Sequence, residues 1–80
     1  MSNLRYTVVL EPGESDERSY VVSVPAFPEI HTEGEAIGDA LVNAHEAVLL
    51  CLEMRSERNE AIPASDTRPG PWSVAVAFSN

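Results

Sequence analysis

Apolar residues near the start of the chain fall on every second position. Leu4, Tyr6, Val8 and Leu10 face one way and Arg5, Thr7, Val9 and Glu11 the other, which is the period of a half-buried β-strand. Residues 12–17 read as a turn, because Pro12 fixes one dihedral and Gly13 permits a positive φ. Alternation resumes over residues 18–24, with Tyr20, Val22 and Val24 on one face. The two runs predict an antiparallel hairpin with a charged tip. Pro25 and Pro28 lack the donor that a central strand needs, so Pro25-Ala26-Phe27-Pro28 predicts a corner. Residues 29–33 have room for a short third strand carrying Ile30, ended by Gly34.

From residue 36 to about residue 57 the period becomes helical. Ile37, Ala40, Leu41, Ala44, Ala47, Val48, Cys51, Leu52 and Arg55 recur at spacings of three and four. Glu35, Asp39 and Glu46 favour the N-terminal half, with Arg55 and Arg58 at the other end, as the helix dipole prefers. Ala36 stands at the N-cap, where it offers no side-chain oxygen to a free N–H. Val42, Leu49 and Leu50 lie off the stripe; Val42 and Leu49, one above the other, could form a second contact strip for an oligomer. Residues 58–71 read as an irregular connection, after which Trp72, Val74, Val76 and Phe78 alternate with Ser73, Ala75 and Ala77 as a last strand. The order β-β-β-α-β predicts one α+β domain over residues 1–80. Its four-stranded sheet would have the order 3-2-1-4, with the last strand parallel to the third and one long helix on one face.

Composition narrows the function classes. Eighty residues support a modest core, and the lone Cys51 excludes an internal disulfide, so extra stability is expected from a homo-oligomer, dimer or tetramer. The N-terminus has no signal-peptide pattern, and the apolar run AVLLCL is far shorter than the roughly 20 residues of a membrane span, so a soluble cytoplasmic protein is expected. Five arginines and no lysine face thirteen carboxylates, a net charge of −8. Such a surface repels phosphate backbones and attracts a basic protein. It also simply keeps a small domain soluble, and charge alone favours that plainer reading.

The string of local features resembles the HicB antitoxin family. It comprises Tyr6-Thr7-Val8-Val9-Leu10, Tyr20-Val21-Val22-Ser23-Val24-Pro25, Phe27-Pro28-Glu29, Thr32-Glu33-Gly34-Glu35, the helical segment Asp39-Ala40-Leu41-Val42-Asn43-Ala44-His45-Glu46-Ala47, and Ile62-Pro63. Together they cover about residues 4–78. The resemblance implies a reduced RNase H-like sheet with one helix. It also implies a role in neutralising HicA, a small basic RNA-cleaving toxin, which gives the acidic surface a purpose. Glu29 departs from the glycine frequent at that corner, and Ala36 from a common Thr or Ser cap. Many members carry a DNA-binding segment after this domain; a chain complete at Asn80 would be a short form without it.

Catalytic constellations are absent from the pattern. RNase H chemistry needs carboxylates converging on Mg²⁺, yet the inward face of the first run is Leu4, Tyr6, Val8 and Leu10. His31 and His45 lack a third strong ligand, Cys51 lies on the core stripe, and no serine has a glycine-framed elbow. No enzyme, cofactor or metal is therefore expected. A toxin partner would meet the hairpin tip, Glu14, Asp16 and Glu17, and the stretch Glu29, His31, Glu33 and Glu35, while Val42 and Leu49 would serve oligomer contact. The alternative is a solitary structural or regulatory oligomer without a toxin, in which the exposed edge of the third or the fourth strand, or the Val42–Leu49 strip, pairs subunits.

Overall fold

The computed structural model describes residues 2–13, 19–66 and 70–78. They form β1 (Ser2–Thr7), β2 (Val9–Pro12), β3 (Tyr20–Ser23), β4 (Thr32–Gly34), α1 (Ile37–Glu57) and β5 (Ser73–Phe78), a small mixed α+β domain. The first alternating run does not stay in one ladder. It breaks at Val8: β1 pairs antiparallel with β5, whereas β2 pairs antiparallel with β3, and β3 with β4. The expected single four-stranded sheet is thus a two-stranded and a three-stranded sheet.

The break has a chemical cause. Val9 pairs with Ser23, the last residue of β3, and two residues on, where the register would reach Thr7, Pro25 has no N–H to offer β1. The connection after the helix fills that place. Arg5 N–H donates to Ser65 Oγ at 3.1 Å, and Asp66 N–H donates to the Arg5 carbonyl at 2.8 Å. The Tyr6 hydroxyl donates to the Pro63 carbonyl at 2.7 Å. Residues 63–66 therefore run along β1 and deliver the chain to Trp72, whose carbonyl accepts from Val8 N–H at 3.0 Å. β5 then runs back along β1. Its direction is opposite to that of β4, not parallel as the sequence predicts, because this returning connection intervenes between α1 and β5.

The proline corner is two successive β-turns. Phe27 N–H donates to the Val24 carbonyl and Ile30 N–H to the Phe27 carbonyl, placing Pro25 and Pro28 each at the second position, where a fixed φ is favourable. Glu29 and Ile30 belong to this corner, so the third strand begins at Thr32 and includes Gly34. The helix matches its stripe: Ala40, Ala44, Val48 and Leu52 are buried, and Ala36 caps it without a side-chain hydrogen bond. Its C-terminus closes with Asn59 at φ 56, Asn59 N–H on the Ser56 carbonyl and Glu60 N–H on the Arg55 carbonyl, a Schellman motif. The core joins these alanines and Val48 and Leu52 to Tyr6, Val8, Val22, Val24, Phe27, Ile30, Val74, Val76 and Phe78.

β4 and the start of α1 approach closely enough to require glycine at one point. A Cβ on Gly34 would lie 2.5 Å from Ala40 N and 2.9 Å from the Asp39 carbonyl carbon. Gly34→Ala is expected to destabilise by about 1–3 kcal/mol in urea unfolding, as overpacking does. At Gly38, within α1, a Cβ meets nothing within 4 Å. Gly38→Ala is expected to stabilise by about 0.5–1 kcal/mol. Equal effects at the two glycines would contradict the close packing.

Candidate protein-docking surface

Beneath the surface lies a clamp that fixes the corner to the helix. Phe27 is fully buried, and its ring meets Tyr6 edge-to-face, with centroids 5.0 Å apart and planes at 80°. The Arg55 guanidinium stacks over Phe27 at 5.0 Å from its centroid and donates from Nη2 to Glu29 Oε2 at 2.8 Å. One arginine thus covers an aromatic face and pairs with the corner carboxylate. The hydrogen bond from Arg55 holds the Glu29 carboxyl below the usual carboxylate range and raises Arg55 itself. Burial pushes up the Tyr6 hydroxyl and, with Glu29 nearby, the Cys51 thiol.

The residues singled out in the sequence fall in different settings. Glu14, Asp16 and Glu17 lie outside the described residues. Glu29 is half exposed but engaged by Arg55. His31, Glu33 and Glu35 are exposed, and Val21, His31, Thr32 and Glu33 line a shallow depression beside β4. Asn43 Nδ2 donates to the Glu33 carbonyl at 2.8 Å, tying this stretch to α1. Val42 is 57% exposed, whereas Leu49 is partly buried against the core.

A longer surface went unnoticed in the sequence. Asp39, Glu46 and Glu53 are all exposed on α1 and are seven residues apart, which stacks them along one line for about 21 Å. Glu57 extends the line, and the exposed apolar residues Val42, Leu50 and Met54 flank it. None of the four carboxylates has an ion pair among those found between described residues. The heptad spacing was the available signal. Among the described residues no three His, Cys, Asp or Glu side chains gather in a way that could hold a metal ion, and no described helix is long and apolar enough to cross a membrane.

The family profile described as "HicB_like antitoxin of bacterial toxin-antitoxin system" matches residues 6–69. The chain belongs to this HicB-like antitoxin family. It is 42% identical over 71 residues to "Antitoxin HicB 1" of Photorhabdus laumondii, covering 89% of this chain and 42% of that protein. It is 38% identical over 60 residues to "Antitoxin HicB" of Escherichia coli K12, covering 75% of this chain and again 42% of the relative. The match therefore spans less than half the length of these antitoxins. A UPF0150 protein of Thermoplasma acidophilum is also 38% identical over 60 residues, which cover 75% of this chain and 84% of that protein. In fold, the HicB-like chain is similar to the crystal structure of the N-terminal domain of Burkholderia pseudomallei antitoxin HicB. The TM-score is 0.72 at 22% identity, over 95% of this chain and 99% of that one.

The Glu29–Arg55 pair sets a pH dependence with a definite sign. Because folding lowers the Glu29 pKa, its stabilising contribution is complete above the unfolded value and disappears as pH falls through the folded value. For a half-exposed pair the contribution is at most about 1 kcal/mol. Glu29→Gln is expected to cost that much in urea unfolding at neutral pH, with the gap to wild type closing in acid. A gap that persists in acid would assign the loss to something other than the ion pair.

Proposed function

We propose that this HicB-like chain is the toxin-binding module of an antitoxin, neutralising a small basic HicA-like RNA-cleaving toxin by protein contact and without catalysis. The observation that carries this reading is the outward face of α1, where Asp39, Glu46, Glu53 and Glu57 stand beside exposed Val42, Leu50 and Met54. Carboxylates steer a basic partner to the surface, and apolar residues among them supply area to bury once it arrives. Glu33 and Glu35 extend the acidic surface toward β4, and the hairpin tip, Glu14, Asp16 and Glu17, is part of the proposed contact. Direct binding of nucleic acid has no place in this reading, because the net charge of −8 repels phosphate. The module acts in the cytoplasm as a dimer or tetramer. A reduced RNase H-like ancestry fits it too, supported by the antiparallel β2–β3–β4 ladder followed by one helix.

One observation favours a second reading, a solitary regulatory or structural oligomer without a toxin. The matched region covers 84% of the Thermoplasma relative, which is therefore little longer than the matched region itself.

Titration of the chain with a HicA-like toxin separates the two. Binding is expected to weaken steeply with added salt, and to suppress RNA cleavage by the toxin. The double reversal Glu46→Arg with Glu53→Arg is expected to weaken binding at least about tenfold, the scale of 1.4 kcal/mol. A toxin that stays active at saturating concentrations of this chain would overturn the antitoxin reading and favour the second.

A further inference from the structure

β4 and β5 are both edge strands, and they are protected very differently. β4 is three residues long, and the Glu33 carbonyl at its middle is already taken by Asn43. β5 has six residues and, among the described residues, pairs only with β1. Successive residues of an antiparallel strand turn their backbone groups to opposite edges. The Trp72 carbonyl accepts from Val8 on the β1 side, so Val74, Val76 and Phe78 share that edge. The N–H and C=O groups of Ser73, Ala75 and Ala77 therefore point outward.

Nothing in β5 blunts this edge. It carries no proline and no charge, and its register with β1 runs without a bulge; these are the usual defences against edge pairing. Residues 69–80 form the longest stretch without a charged side chain, in a chain of net charge −8. The exposed side chains of β5, those of Ser73, Ala75 and Ala77, are all small. Arg5, one strand away, donates from Nη1 to Ser73 Oγ at 3.2 Å.

We propose that β5 pairs antiparallel with β5 of a second copy, about a two-fold axis at Ala75. Ala75 then faces Ala75, Ser73 faces Ala77, and Val74 faces Val76 on the side of the core. The strand is self-complementary in this register: no charge meets its own kind, and the buried row Val74, Val76 and Phe78 continues across the axis. The two Arg5 guanidiniums, each held at its own Ser73, would sit roughly 14 Å apart, one strand spacing across and four residues along, beyond the screening length at physiological salt. Charge also selects the occupant. A basic partner gains nothing from a neutral edge, whereas two copies of an acidic protein approach each other at least cost where neither is charged. The pairing goes beyond the antitoxin reading by naming the interface, and does not require a toxin.

The test is the particle mass by sedimentation, with circular dichroism as the check on folding. Ala75→Asp places like charges directly across the axis, and Ala75→Pro removes an outward N–H. Both are expected to halve the wild-type mass while the helical signal persists, and Leu50→Gln on α1 is expected to leave the mass unchanged. Isotope-filtered NMR of a mixed labelled and unlabelled sample is expected to show Val74 of one copy against Val76 of the other. A wild-type chain that sediments as a single copy at the highest concentration it tolerates would overturn the proposal. So would an oligomer that survives Ala75→Asp with its fold intact. Failure to bind toxin in a dimer that loses its mass with Ala75→Asp would sink only the antitoxin reading.

Discussion

The buried stripe of α1 is the contact on which the rest of the domain depends. The two ladders share a single extended run, split at Val8, and no other strand belongs to both. α1 packs on β3 and β4 in one sheet and on β5 in the other. Ala40, Ala44, Val48 and Leu52 therefore bury surface from both ladders at once. In a domain of 80 residues the core has little apolar area to spare, so neither ladder can gain enough burial without the helix. Small residues at the N-terminal half of the stripe go with the tight approach of β4, where Gly34 nearly touches Ala40. At the other end Arg55 replaces an apolar residue on the same stripe, reaching over Phe27 to Glu29.

Much of this was legible in local periodicity. The helix, the hairpin pairing, the corner and the last strand each follow from spacings and proline positions that act over a few residues. The break at Val8 was not legible, because Tyr6 and Val8 are both buried and the alternation runs through it undisturbed. What divides the ladders is Pro25, sixteen residues beyond β2's Val9, together with the return of residues 63–66 along β1. The direction of β5 depends on that same return, which no local pattern encodes. Glu29 stood out as a departure at a corner that often has glycine, but its meaning lay 26 residues away. The signal was nevertheless present: an arginine on a core stripe calls for a carboxylate or an aromatic face, and Arg55 has both.

Charge then divides the surface by kind of partner. The exposed side of α1 mixes carboxylates with apolar residues, a combination suited to a basic protein and hostile to a second copy. The outer edge of β5, unpaired among the described residues, is neutral and self-complementary, a combination suited to a second copy and indifferent to a basic one. Family membership fits the first surface, and edge-strand physics supplies a use for the second. The two lie on different elements, so one contact need not exclude the other.

Native-state hydrogen exchange of the backbone amides tests the bridging role of α1 most directly. If the helix holds both ladders in one core, the slowest amides of α1, β3 and β5 share one opening free energy and respond with the same slope to added urea. Protection in the β1–β5 ladder that is lost at a clearly lower free energy, while α1 and β3 remain closed, would show that the two sheets are held independently. That result would contradict the account.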